Sequence, residues 1–156
     1  KAVQEWCSTH QKPLPWFNIE TKCSPQTDGE YHPDAETFAE MLFQQVNKSG
    51  IAHKTVIQSF DFRTLQYLHK KHPEVPLAAL IEEKAVAGVE ENIRLLGFVP
   101  AIYSPAHQGV TLKVVQACAR AGMRLIPWTV NDPTRAAELK AMGVTAVITD
   151  YPDRVR

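Results

Sequence analysis

The sequence predicts an α/β fold in which parallel strands are covered by helices. Three observations lead there. Short apolar runs alternate with amphipathic helical segments along the whole chain. Most of the runs are continuously apolar, as in strands covered on both faces. The alternation is regular, giving six strand–helix units of about 25 residues each. The 156 residues suffice for one domain with a substantial core, and residues 1–156 are read as a single domain.

The elements follow in order. Lys1 to His10 reads as the end of a helix rather than the start of a domain. The first strand is Trp16 to Lys22, with Phe17, Ile19 and Thr21 on one face and Asn18, Glu20 and Lys22 on the other. After a polar loop, Pro33 suits a first helical turn. Phe38, Met41, Leu42 and Val46 then recur at helical spacing, and Ser49-Gly50 stops that helix. The second strand is Thr55 to Phe60. Asp61 caps a helix carrying Leu65 and Leu68, which ends before Pro73.

The third strand is Leu77 to Ile81, followed by a helix near Val89 to Leu96 closed by Gly97. The fourth is short, Pro100 to Tyr103. The next helix presents Leu112, Val115, Cys118 and Ala119 inward and ends at Gly122. The fifth strand is Met123 to Val130. Asp132 as N-cap and Pro133 at the first helical position open a helix presenting Ala136, Leu139 and Met142. The sixth strand is Val144 to Thr149, and Asp150 and Pro152 begin a final turn.

Two architectures share this pattern, an open doubly wound sheet and a barrel. No G-x-G-x-x-G or G-x-x-x-x-G-K-[ST] loop follows any strand, which removes the usual nucleotide-binding case for the open sheet. A TIM (β/α)8-type barrel has eight strands and typically about 250 residues. About six of eight βα units are then present, with the N-terminal units missing.

Composition narrows the function. Lys plus Arg and Asp plus Glu number 17 each, so the formal net charge is zero and nothing favours nucleic acid or an anionic membrane as partner. No run reaches the roughly 20 apolar residues of a membrane span. Lys1 to His10 has no basic segment followed by an apolar one, so no signal peptide is visible. Cys7, Cys23 and Cys118 are odd in number and widely spaced, which describes neither a disulfide framework nor a zinc site. They read as free or buried thiols and indicate no compartment.

In a barrel of this kind the chemistry sits at the C-terminal ends of the strands. The polar residues there are Glu20, Lys22, Gln58, Ser59, Asp61, Glu82, Glu83, Ser104, His107, Trp128, Asn131 and Asp150. Glu20 on an inward-facing strand position needs a partner. Lys22, two residues on, points the same way and gives an ion pair. A divalent cation would serve as well, because hard cations prefer carboxylate oxygen. Trp128 is either an aromatic plug of the core or a wall for a ligand. Of six histidines, His10, His69 and His72 fall on helix faces or ends as solvated groups, and His32, His53 and His107 lie in loops. No Ser-His-Asp order is present.

Four segments carry a resemblance. They are Phe17-Asn18-Ile19-Glu20-Thr21-Lys22, Val56-Ile57-Gln58-Ser59-Phe60-Asp61, Pro127-Trp128-Thr129-Val130-Asn131, and Gly143 through Pro152. In this order they resemble the Glu-x-Lys, Ser-Phe, Trp-Thr-Val-Asn and Thr-Asp-x-Pro segments of the bacterial glycerophosphodiester phosphodiesterases, over about residues 14 to 155. The resemblance implies a TIM barrel that hydrolyses glycerophosphodiesters to glycerol 3-phosphate and an alcohol. It implies a divalent cation, Ca2+ or Mg2+, held by three acidic residues, of which Glu20 matches one. It further implies substrate contacts at Lys22, Ser59, Phe60, Trp128 and Asn131, with Lys22 facing phosphate oxygens and Phe60 and Trp128 walling the glycerol.

The family's two acid–base histidines and its other two metal ligands belong to an early His-Arg-Gly motif and Glu-x-Asp strand, and neither motif occurs here. The 156 residues are therefore read as a fragment without catalytic histidines. Such a fragment is expected to be inactive, and to self-associate or pair with its missing N-terminal segment. The alternatives are a non-catalytic module that binds phosphodiesters or a partner, and another metal-dependent phospholipase-type barrel.

Overall fold

The computed structural model describes residues 1–155. The chain forms two compact units, Lys1–Pro76 and Leu77–Arg156. All the strand pairing within each unit is parallel, as βαβ connections require.

The first unit opens with helix α1 (Ala2–Thr9), in line with the helical reading of that end. Strand β1 (Phe17–Glu20) pairs with β2 (Thr55–Ser59) in the register Phe17↔Thr55 through Glu20↔Gln58. Helix α2 (Ala35–Lys48) begins one turn position later than Pro33 suggested. Asp34 is its cap, its carboxylate accepting from Thr37 N at 3.0 Å. Ala35, Ala39 and Val46 are its buried side chains, whereas Met41 is exposed. Asp61 caps α3 (Phe62–Lys71) as expected, and Leu65 and Leu68 are fully buried.

The second unit holds β3 (Leu77–Ile81), β4 (Ile102–Pro105) and β5 (Arg124–Leu125), paired in that order, with α4 (Val89–Leu96), α5 (Leu112–Arg120) and α6 (Pro133–Ala141) between and after them. Every residue of β3 is buried, which explains its unbroken apolar run. Gly97 closes α4 in the left-handed region at φ 85°, a conformation that an L side chain adopts only with strain.

Three expectations change here. The inward face of α5 is Val114, Ala117 and Cys118, while Leu112 and Ala119 are exposed. The apolar residues of α5 nearly encircle it, so spacing alone did not fix its phase. The fifth strand is regular only at Arg124–Leu125. Its edge still follows β4, with Ile126 N on Tyr103 O (3.0 Å) and Trp128 N on Pro105 O (3.0 Å). Pro105 has no amide to return to Ile126 O, so the ladder breaks there and resumes only where His107 N donates to Trp128 O (2.9 Å). Val144 to Thr149 is not a regular strand, yet it runs beside residues 127–130 through Val130 N to Ile148 O (2.8 Å) and Ile148 N to Pro127 O (2.9 Å).

The three cysteines are free thiols. His72 is not a solvated group. Its Nε2 lies 2.8 Å from Glu40 Oε2 and its ring stacks on Phe43. No helix among the described residues is long and apolar enough to cross a membrane.

Candidate active site

The residues singled out in the sequence lie at the C-terminal ends of their own strands. In the first unit these are Glu20, Lys22, Gln58, Ser59 and Phe60. Glu20 ends β1, one-fifth exposed, and its Oε1 lies 2.7 Å from Lys22 Nζ. The ion pair anticipated from their spacing therefore forms. The Lys22 side chain is 78% exposed, so its ammonium faces outward while the carboxylate is sheltered. Asn18 Nδ2 donates to Gln58 Oε1 at 2.7 Å on the neighbouring strand, and Gln58 stands opposite Glu20 in the register. An amide pair and an ion pair thus share one strand face.

Ser59 is fully buried. Its hydroxyl accepts from Asp61 N (3.0 Å) and lies 3.4 Å from Thr21 O. That places the hydroxyl in the strand-to-helix turn rather than on the surface. Phe60 follows it, 39% exposed.

The same turn carries a charged cluster that the sequence did not announce. Arg63 Nη1 and Nη2 grip both oxygens of Asp28 (2.5 and 3.0 Å), and Nε and Nη2 grip Asp61 (2.6–3.1 Å). The Arg63 guanidinium holds the Asp28 carboxyl below its ordinary range. Burial pushes the Asp61 carboxyl up. Bonds from Arg63, from its backbone amide and from the Cys23 thiol outweigh that and leave it below the ordinary range. Burial and the Asp61 carboxylate push the Cys23 thiol up to about 12, so Cys23 is a neutral donor at 3.3 Å from Asp61 Oδ2. Asp28 lies 35 residues before Arg63, and no local spacing signals so distant a partner.

In the second unit the strand ends bring Ser104, Trp128, His107, Asn131 and Asp150 to one region. Trp128 is half-buried, and its Nε1 donates to Ser104 O at 2.8 Å. Ser104 Oγ in turn donates to Ile126 O at 2.7 Å. Asn131 bridges to the last segment. Its Nδ2 donates to Asp150 Oδ2 (2.8 Å), and its Oδ1 accepts from Asp150 N (2.9 Å) and Thr149 Oγ1 (3.1 Å). Asp132, not Asn131, caps α6. His107 follows β4, and its Nδ1 is buried with no hydrogen-bond partner among the described residues. Burial and the nearby Arg135 push its imidazole below the usual histidine value, so it is neutral at pH 7. Arg135 Nη2 donates to His107 O (2.6 Å) and Val110 O (3.0 Å), fixing that loop. Glu82, Glu83, Lys84 and Gly109 line an open pocket of about 660 Å³ beside it.

A divalent cation needs several oxygen donors. Among the described residues no three His, Cys, Asp or Glu side chains converge to hold one. Glu20 is a single carboxylate already paired to Lys22, so the donor set of these residues does not by itself fit a metal.

The class that this fold defines is the parallel α/β proteins built of strand–helix units, with their polar residues gathered at the strand ends. Residues 6–154 match the model of the glycerophosphoryl diester phosphodiesterase family, and the chain belongs to that family. A glycerophosphodiester phosphodiesterase of Bacillus subtilis is 29% identical over 144 residues, covering 88% of this chain and 46% of the relative. The chain thus spans about half the length of the curated relatives it matches. Among solved structures, a phosphodiesterase of Oleispira antarctica in complex with the product sn-glycerol-3-phosphate superposes with TM-score 0.73 at 19% identity, over 99% of this chain and 57% of that one. A glycerophosphodiester phosphodiesterase of Parabacteroides distasonis gives TM-score 0.70 at 20% identity, over 95% and 58%. The fold is that of these proteins.

Proposed function

We propose that the whole protein hydrolyses glycerophosphodiesters to glycerol 3-phosphate and an alcohol. The observation that carries this reading is the sheltered Glu20 at the end of β1 with Lys22 at 2.7 Å, within a family match over residues 6–154. The relatives named for this activity, and one bound to sn-glycerol-3-phosphate, support it.

The 156 residues contribute part of a (β/α)8 barrel, whose remaining strands, acid–base groups and further carboxylates lie outside them. A divalent cation, Ca2+ or Mg2+, is part of the proposal, with Glu20 as one donor. No step is derived through it, because the donors here do not complete its site. What these residues do is bind and orient. Lys22, with its exposed ammonium, faces phosphate oxygens as a point charge. Phe60 and Trp128 offer apolar surface to the glycerol. Asn131 holds the Thr149–Asp150 turn at the rim, and Ser59 fixes the strand end behind Phe60.

The test is release of glycerol 3-phosphate from glycerophosphocholine by the full-length protein with Ca2+ or Mg2+ supplied. Glu20→Gln is expected to lower turnover at least about 100-fold and to weaken cation binding. Activity within twofold of the parent at limiting cation would remove Glu20 from the site. Binding of glycerophosphocholine by the full-length protein without turnover would favour a non-catalytic module instead. The 156-residue chain alone is expected to be inactive. Cation-dependent release by it at about 1 per second or faster would place the catalytic groups within these residues, and His107 and His32 would be the first to replace.

A further inference from the structure

We propose that Arg63 is a positioning residue for the Glu20–Lys22 pair, acting by tying the segment that leaves β1 to the turn that leaves β2. The proposal rests on the reading of Glu20 and Lys22 as site residues.

Between Glu20 and Lys22 lies Thr21, only 2% exposed and facing the opposite way. Its amide donates to Gln58 O (3.0 Å), and its carbonyl lies 3.4 Å from the Ser59 hydroxyl. The Thr21 and Thr64 hydroxyls lie 3.1 Å apart, and the Thr64 hydroxyl is 2.9 Å from Asp61 O. Beyond Lys22, the Cys23 thiol donates to Asp61 Oδ2, and further on Asp28 is held by two Arg63 nitrogens. The segment from Thr21 to Asp28 is thus fastened at three points to one turn, residues 58–64. Lys22 sits between two of them and turns its side chain back to Glu20.

Arg63 is the hub of these fastenings. One guanidinium serves two carboxylates, and all three of its nitrogens are engaged. The rigid fork suits this task, whereas a lysine ammonium offers one point charge to two separated acceptors. Without Arg63, Asp28 and Asp61 are like charges facing each other. Asp28 is then expected to move away and carry the segment after Lys22 with it. His32 stays near Asp28, 3.7 Å from its carboxylate, and is itself held by Thr27 and by Pro33 O. The far end of the loop is therefore organised independently of Arg63, and the disturbance is expected to concentrate in residues 22–28.

The experiment uses the full-length protein with Arg63→Gln and the milder Arg63→Lys. Two readouts are taken. Amide hydrogen exchange over residues 21–28 is expected to accelerate roughly tenfold in Arg63→Gln, less in Arg63→Lys, with β2 unchanged. kcat/KM for glycerophosphocholine is expected to fall roughly tenfold, mainly through KM. In a Lys22→Met background the same Arg63→Gln change is expected to add less than about twofold, because two changes that act through one coupled network are not additive. Unchanged exchange at 21–28, or full additivity with Lys22→Met, would overturn the proposal. If the parent protein turns over no glycerophosphodiester, the functional reading fails. Arg63 is then judged on exchange over residues 21–28, which must accelerate in Arg63→Gln for the proposal to stand.

Discussion

Trp128 shows how a single side chain divides between packing and contact. Its indole nitrogen is committed to Ser104 O at 2.8 Å, while the ring remains half-buried. A tryptophan that were only core would have its ring fully enclosed, and one that were only a ligand wall would leave its N–H for water or ligand. Trp128→Phe keeps an aromatic surface and removes the bond, at about 1 kcal/mol. Trp128→Ala removes both. In the full-length protein Trp128→Phe is expected to lower the thermal midpoint with turnover nearly kept. Trp128→Ala is expected to lower turnover or substrate affinity while cation affinity stays. Equal losses of activity in the two variants would assign the effect to the hydrogen bond and deny the ring a substrate role.

Helix starts and loop crossings set the rigidity of the strand ends. Asp132 caps α6 by accepting from Thr134 N at 3.0 Å, directly after Asn131, so the cap and the bridge to Asp150 share one turn. Asp132→Ala is expected to destabilise by about 1 kcal/mol, read as a shift in the denaturation midpoint with an unchanged slope. A midpoint that stays put would show that the cap bond is not formed in solution. Gly109 is a different case, because space rather than backbone angle requires it. A Cβ there would stand 2.7 Å from Val86 Cβ and 3.2 Å from Glu83 O. The short helical turns Glu83–Ala85 and His107–Gly109 therefore touch only because residue 109 has no side chain. Gly109→Ala is expected to push them apart and destabilise by about 1–3 kcal/mol, as overpacking does. A variant as stable as the parent would mean that the 83–86 turn yields freely.

At the scale of the molecule, three neutral acids are held protonated by the fold. Tyr103 is 1% exposed, donates to Val86 O (3.0 Å) and accepts from Asn92 Nδ2 (2.7 Å). Burial pushes its phenol up to about 12 and the Cys118 thiol up to about 11, and Cys23 likewise rises to about 12. A raised acid keeps its proton longer folded than unfolded. Its stabilisation is complete below the unfolded value and is lost as pH climbs through the folded one. Unfolded thiols and phenols titrate at about 8.5 and about 10. The thermal midpoint is therefore expected to fall steadily between about pH 9 and pH 12. Tyr103→Phe, less stable at neutral pH through the bonds it loses, is expected to show a shallower fall above pH 10. An unchanged slope in that variant would show that the phenol ionises without unfolding the protein.

The alternation of apolar runs and helical segments was enough to determine a parallel α/β chain, because burial on both strand faces and one helix stripe are periodic and local. The same locality made Asp61, Asp132 and Gly97 readable as helix ends and Glu20–Lys22 readable as neighbours on one face. The phase of α5 was not readable, since too many of its residues are apolar for spacing to choose Val114 over Leu112. Nor was the loss of regular pairing after Leu125, which depends on Pro105 standing beside that segment with no amide to give it. The partners of Arg63 belong to the same class of fact. Its contact with Asp28 joins residues far apart in the chain, and only the folding of the β1–α2 loop onto the start of α3 decides it. Local free energies set which elements form. Which charges meet is decided by the loops between them, and loops carry no period to read.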